Sequence, residues 1–413
     1  MNDSTTTSSG SEIATAIASL GARRLDEALL REHVTPLFAR VLGEYRPRIY
    51  LANHSLGRPL DAMAADVQEG LGAWYAHLGA AWDAWSDEMT AFRTRVARLI
   101  NAPRADCVVP KTSAGQGLRA ILNSYDSIPR VVATRGEFDS LDVILREYAR
   151  RGRIDLAMVE ARASGDFDTG DILAAIGSRA DLVVVSEVVF NTGQRLADLD
   201  ALVSATHRAG GRILVDIYHS VGVLPIDVQA LDADFAVGGS YKYLRGGPGA
   251  CYLYLHPRHL DGSLRTLDIG WFAKRSPQAY ERPDPPQWGE GGDAFLESTP
   301  PVLMCYQARA GQLLTLGLGP HRLRAYSLEQ LRLLRGLLAE HAVPARGGDD
   351  AHGAFLAVEH PHAVAVATAL RERQIVVDAR GPYLRLCPDI LTTSDEMQLA
   401  ARELGALLRS IGR

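Results

Sequence analysis

From Asp106 to about residue 255 the chain alternates short β-branched runs with helical segments; the runs are CVVP, RVVAT, IDLAMVE, DLVVVSEVVF, GRILVDI, DFAVGG and ACYLYLH. Strands of this length, apolar on both faces, belong in a sheet covered on both sides. The helical connections make that sheet mostly parallel, because a parallel strand pair needs a crossover between its members. The pattern predicts an α/β fold, with a large domain at 106–319 built on a mostly parallel sheet of the seven-stranded type.

Helical periodicity dominates on either side. Before residue 105 it covers SEIATAIASLGARRLDEALLREHVTPLFARVL, then MAADVQEGLGAWYAHLGAAWDAW, then DEMTAFRTRVARLINAP. Beyond Pro320 a long helix, RLRAYSLEQLRLLRGLLAEH, leads into GAFLAVEH, AVAVATALRERQ, IVVDAR, YLRLCP and a last helix, SDEMQLAARELGALLRSI. Residues 13–105 and 320–413 are predicted to form a small α+β domain drawn from both chain ends. The first dozen residues, MNDSTTTSSGSE, are polar and read as a disordered tail, 1–12. SPQAYERPDPPQWGEGGD reads as a loop, either a lid or a subunit contact.

Composition excludes several classes of function. A hydrophobic share of 47%, a charged share of 23% and a net charge of −5 describe a soluble globular protein. They supply no attraction toward nucleic acid or an anionic membrane, and no apolar run is long enough to span a bilayer. Cys107, Cys251, Cys305 and Cys387 are scattered without metal-ligand spacing, so they read as reduced, buried thiols of a cytoplasmic protein, with no metal site.

In open α/β sheets ligands sit beyond the carboxyl ends of the strands. After CVVP comes KTSAGQGLRAIL, a small-residue turn opening a helix. Thr112 and Ser113 there suit a phosphate, and serve equally as a plain helix cap. After RVVAT comes RGEFDSLD, where Phe138 lies either flat on a bound ring or in the core. After DLVVV, SEVVFNTGQ brings Ser186 to the same edge, in reach of a ring oxygen. GRILVD ends on Asp216, with His219 following either into the site or into the core, and DFAVGG runs on into SYKYLRGGPGA with Tyr241 and Lys242.

A strand-end carboxylate followed by a lone lysine among small residues meets two requirements of pyridoxal 5'-phosphate (PLP). These are an amine for the Schiff base and an acid that keeps the pyridine nitrogen protonated. A buried Asp is costly without a partner, and a pyridinium N–H supplies one as a charge-assisted hydrogen bond. Tyr241 suits a phosphate or proton donor, and RGGPGA lets the backbone turn close to the cofactor. Near the C-terminus Arg385, or its neighbour Arg380, suits a bidentate grip on a substrate carboxylate and equally an ordinary ion pair.

SEVVFNTGQ, VDIYHSVGVLPIDV, DFAVGGSYKYLRGGPGA, GWFAK and ESTPP stand in the order and approximate spacing found in kynureninases. On these motifs the chain resembles that family, which lies in the fold-type I, class V branch of PLP enzymes. YLANHSLGRP, with His54 and Ser55, resembles the family's N-terminal GNSLG motif, and DARGPYLRLCP resembles its C-terminal arginine segment. The resemblance implies Lys242 as the Schiff-base lysine, Asp216 as the pyridinium partner, His219 as a neighbour of the ring and Phe138 as its stacking partner. It implies phosphate binding by Tyr241, Trp271 and Thr112, and a Thr299 that reaches the site across a homodimer interface. Arg385 becomes the clamp on the substrate α-carboxylate, with His54, Ser55 and Phe272 on the substrate side.

Departures from the family fall on the substrate pocket. Ala273 and Lys274 stand where the family carries Gly-His, and Asp139 replaces the proline of its FPTD motif. AHLGAAWDAWSDEM offers His77 and two tryptophans, without a clean match to the family's histidine for the aryl ketone. The resemblance implies a PLP-dependent lyase or hydrolase acting on the side chain of an L-amino acid, with carbon–carbon cleavage of a β-acyl alanine first. Alternatives are β-elimination, decarboxylation or oxidative deamination of a modified amino acid, and a non-catalytic binding protein of the same fold. Cysteine desulfurase chemistry needs a reactive cysteine in a mobile loop upstream of the carboxylate arginine, whereas Cys387 follows Arg385 within a strand.

Overall fold

Backbone pairing draws the apolar runs together as the alternation predicts. In the computed structural model, which describes residues 8–411, β1 (Ile49–Tyr50) precedes β2 (Val108–Lys111), β3 (Arg130–Thr134), β4 (Asp155–Val159) and β5 (Leu182–Ser186). Then follow β6 (Arg212–Asp216), β7 (Phe235–Gly239), β8 (Cys251–Leu255), β9 (Leu356–Glu359), β10 (Ile375–Val376), β11 (Asp378–Arg380) and β12 (Tyr383–Leu386). Seven strands form one sheet in the order β2-β8-β7-β6-β5-β3-β4. The pairs from β7 to β4 are parallel and β8 runs against both its neighbours.

Side chains alternate between the faces with period two, as pleating requires. Val183 and Val185 enter one core, with Ile213 and Val215, while Leu182 and Val184 enter the other, with Leu214 and Phe235. The covering helices show why they fold onto these faces. In Asp139–Arg150 the buried Leu141 and Leu145 lie one turn apart, and the solvent side carries the Asp142–Arg146 pair. Each fully buried side chain of this size contributes about 1.5–3 kcal/mol.

The small domain holds the antiparallel sheet β11-β12-β9 and the parallel pair β1-β10, packed on the helices Pro320–Glu340, Ala363–Glu372 and Ser394–Ile411. From the N-terminal segment it takes Ile49 and Leu51 into its core. The helices Ala62–His77 and Ala81–Leu99 go elsewhere, against the prediction that 13–105 joins the small domain. They pack on the helix Leu303–Leu318, and Phe92 and Val96 enter the core of the large sheet. A buried ionic hub explains the attachment. Arg309 donates to Glu88 at 2.6 Å and to Glu69 at 2.7 Å, and Arg95 joins Glu88 to Gln312.

Two boundaries also differ from the sequence reading. The break between the two helices falls at Leu78–Ala80, where Leu78 takes a φ of 48°, rather than after AWDAW. The tail expected at 1–12 is helical from Ser8, because Ile13 and Leu20 share one face and bury it in a core with Leu314 and Leu318; residues 1–7 of that tail lie outside the described residues. Among the described residues no helix is long and apolar enough to cross a membrane.

Candidate active site

Strand register delivers the first cluster. Ser186 and Asp216 are paired positions at the carboxyl ends of β5 and β6, and Asp216 also pairs with Val237 of β7, the strand that leads to Lys242. Lys242 is 4% exposed, and its Nζ lies 2.8 Å from His219 Nε2. Asp216 is buried and its Oδ1 accepts a hydrogen bond from the Tyr218 N–H at 2.8 Å. Burial pushes Lys242 well below the usual lysine range against the opposing pull of Asp216, and it pushes the Asp216 carboxyl up. His219 is held neutral by burial and by the charge of Lys242. Burial and the charge of Asp216 push the Tyr241 hydroxyl up to about 12, so it keeps its proton.

Phe138 caps the next turn, with its ring centroid 5.4 Å from Lys242 Nζ and edge-on to Phe190 at 5.5 Å. Ser186 faces a partner that the sequence reading did not single out. Its hydroxyl donates to Glu137 Oε2 at 2.7 Å, and Thr134 donates to Glu137 Oε1 at 2.6 Å.

A second cluster comes from the small domain and the NHSLG segment. In the β11–β12 hairpin Asp378 pairs in register with Arg385, and the two side chains form a buried ion pair that the Ser55 hydroxyl joins. Arg385 also donates to the Phe190 carbonyl. Burial pushes the Asp378 carboxyl up, but Arg385, Ser55 and Arg380 outweigh it and hold it below its ordinary range. Arg380, 47% exposed and 3.8 Å from Asp378, is the outer member. His54 stacks on Phe355 at 4.8 Å, and the same ring lies 6.1 Å from His219 and 5.6 Å from the Arg385 guanidinium, so Phe355 is the floor between the two clusters. Asp378 was legible as an acid just before Arg385. Phe355 carried no signal, since an apolar residue in GAFLAVEH is indistinguishable from ordinary core.

The remaining predicted residues gather on the β2 side. Ser113 caps the helix Ala114–Leu122 by accepting from the Gln116 N–H, and the Thr112 N–H and hydroxyl both reach Gln116 Oε1. The Trp271 indole donates to the Thr299 hydroxyl at 3.1 Å. Thr112, Gln116, Phe272, Glu297 and Thr299 line a cavity of about 200 Å³, and the buried Lys111 closes it through a 2.6 Å bond to Glu297. Phe272 packs between Trp271 and Trp82, away from the Arg385 cluster. His77 ends its helix exposed.

One buried triad locks three of these segments together. Asp389, beyond β12, accepts from Arg58 of the NHSLGR segment and from Arg245 of the lysine loop, the latter at 3.1 Å. The fit leaves no slack at Gly57, where an added Cβ would lie 2.0 Å from the Lys242 carbonyl oxygen. Asp389→Ala strands two buried guanidinium groups and is expected to destabilise the protein by about 3–5 kcal/mol. Urea unfolding checks this, and a change below about 1 kcal/mol would contradict it.

The buried nitrogens of His54 and the Nε of Arg385 have no hydrogen-bond partner among the described residues. Buried polar atoms are rarely left so, and orphans flanking Lys242 and His219 fit a polar ligand seated between the clusters. Asp216 at a strand end, the Phe138 ring and the helix start beside Thr112 suit a cationic ring and a phosphate.

Comparisons with known proteins bear on the family and the fold. The aminotransferase class-V family profile matches residues 60–383. A kynureninase of Deinococcus radiodurans is 30% identical over 353 residues, 81% of this chain and 83% of the relative. One from Pseudomonas fluorescens is 27% identical over 380 residues, 87% and 89% of the two chains. Among solved structures, the cystine C–S lyase C-DES in complex with its product cysteine persulfide superposes with a TM-score of 0.78 at 19% identity, covering 88% of this chain and 98% of that one. The apo cysteine desulfurase of Thermococcus onnurineus NA1 also gives 0.78, at 18% identity over 94% and 99% of the chains. These two bear on the fold, which is fold type I. A buried lysine and a strand-end aspartate at the carboxyl edge of this sheet, within a match that spans most of the chain, make the protein a member of the aminotransferase class-V family, a pyridoxal-phosphate-dependent enzyme of kynureninase-like type.

Proposed function

We propose that the protein hydrolyses the Cβ–Cγ bond of a β-acyl L-alanine, releasing alanine and a carboxylic acid. The observation that carries the reading is that one ring, Phe355, meets both the Arg385 cluster and His219, which in turn holds Lys242. When bound, PLP supplies an electron sink for charge developing on the substrate. Asp216 holds the proton at the pyridine nitrogen, and Phe138 covers the ring. Lys242, driven toward its neutral amine by burial, is the residue that would hold the cofactor's aldehyde carbon, and it moves the proton at the substrate Cα. Asp378 and the Ser55 hydroxyl fix one edge of Arg385, and its orphaned Nε is left for the substrate carboxylate. Water adds to the γ-carbonyl, the Cβ–Cγ bond breaks, and Cβ takes up a proton. Thr112, Ser113, Tyr241 and Trp271 hold the phosphate, and the enzyme works as a homodimer in which Thr299 approaches the partner's site. The four cysteines are free and buried, which suits a cytoplasmic setting.

The pocket favours a substrate other than kynurenine. His77 stands on the surface, so it supplies no hydrogen bond to an aryl ketone, and Trp82 is packed on Trp85 and Phe272 with ring centroids 5.2 and 5.6 Å away. A pocket that leaves polar groups of a substrate unpaired rejects it by orders of magnitude. Kynurenine and 3-hydroxykynurenine are therefore expected to be poor substrates beside a less polar β-acyl alanine. Steady-state kinetics with mass-spectrometric product detection checks this. A kcat/KM of about 10⁴ M⁻¹s⁻¹ or more on kynurenine would make the protein a plain kynureninase. Absence of alanine from every β-acyl alanine tried would overturn the reading and favour elimination or decarboxylation on the same machinery.

A further inference from the structure

Glu137 sits on the turn that carries Phe138, and it is 2% exposed. A carboxyl so deep is expensive unless its oxygens are satisfied, and each has one hydroxyl donor: Thr134 at 2.6 Å on Oε1 and Ser186 at 2.7 Å on Oε2. Thr134 Oγ also accepts from the Gly136 N–H at 3.1 Å, so the same group pins the backbone of the turn. Ser186 lies at the end of β5, in register with Asp216 of β6. One carboxyl therefore ties the turn bearing Phe138 to the strand end beside Asp216.

We propose that Glu137 is a positioning residue: through Thr134 and Ser186 it sets the height of Phe138 over the cofactor ring, and its charge biases the proton shared between Asp216 and that ring. The proposal rests on the assignment of Asp216 and Lys242 to the cofactor. Three elements bear on Glu137: Thr134 from its own turn, Ser186 from β5 and Asp216 from β6, of which Asp216 is the charged one. Burial raises the Glu137 carboxyl to about 7 against the two hydroxyl bonds, and the charge of Asp216 adds to the rise. Its charge state thus changes within the working range of an enzyme at neutral pH. A negative charge near a cationic site favours the protonated form of that site.

The test compares the wild-type holoenzyme with E137Q, which keeps size but not charge and whose NH2 donates to a hydroxyl that had been a donor, and with S186A, which cuts the link to β5. The first readout is thermal stability against pH. A carboxyl with a raised folded pKa contributes stability that is complete below its ordinary value of 4.5 and is lost as pH rises through about 7. E137Q is free of that loss, so its melting temperature is expected to gain on wild type across this window. The second readout is pH titration of the cofactor's absorption bands. E137Q is expected to lower the midpoint by about one unit, the spread that folded environments impose on carboxyls. S186A is expected to shift it the same way by less. Parallel stability curves together with an unmoved midpoint would overturn the proposal, and if E137Q does not fold, an unmoved midpoint in S186A does so alone. Borohydride labelling separates the two assignments. Failure to fix the cofactor to Lys242 refutes the lysine's role, while the stability comparison still decides whether Glu137 carries the charge.

Discussion

Lys242→Ala is expected to abolish turnover while leaving a folded protein that still takes up PLP. In the proposed mechanism this amine would hold the cofactor and move the Cα proton, and general acid–base transfer alone is worth about 10²–10⁴-fold, so the combined loss is at least about 10⁴-fold. The fold tolerates the change because Lys242 hydrogen-bonds to His219 and carries no buried ion pair that the rest of the chain depends on. Burial already disfavours its charge, so truncation takes from Asp216 an attraction without a direct ion pair, whereas loss of Arg58 or Arg245 would remove a direct partner of Asp389. Noncovalent PLP remains held through Asp216, Tyr241, Trp271 and Thr112. Equilibrium dialysis, borohydride labelling and rate measurement on one preparation check all three parts. Wild-type activity in the variant would remove the central assignment.

Asp216→Ala is expected to slow the reaction by about 10²–10³-fold, the loss typical of removing one preorganised electrostatic group, and to weaken PLP binding as well. Asp216→Glu retains the charge on a longer arm and is expected to be milder by at least about tenfold. The contrast isolates the proton at the pyridine nitrogen from simple packing, since Asp216 closes β6 in a fully formed ladder between β5 and β7 that neither substitution interrupts. Rates and cofactor dissociation for the two variants decide it. Equal, mild effects would count against Asp216 as the ring's partner.

Both residues were legible before any coordinates because their types were out of place. A carboxylate that ends an apolar strand, and a lysine amid serine and glycine after another, are expensive in a core and call for a partner. The parallel sheet was legible for a related reason, since strands buried on both faces have no polar alternation to hide them. Glu137 stayed hidden because the signal was its burial. In RGEFDSLD it reads as one more charged residue of a surface turn, and only the folding of β3 beside β5 brings Ser186 onto it. Domain membership of residues 62–99 was hidden likewise, because an amphipathic helix announces that it has a buried face but not which surface will cover it.

The sequence by itself therefore determined the fold class and the cofactor and singled out Lys242 and Asp216 as candidates, all of which depend on local pattern and residue type. Tertiary structure alone decided which groups meet across long separations. It placed Phe355 beneath both clusters and buried Asp389 between Arg58 and Arg245. The reason is physical: backbone periodicity and burial cost are properties of a short segment, whereas the energy of a charge pair depends on a separation and a dielectric that exist only once the two domains have packed.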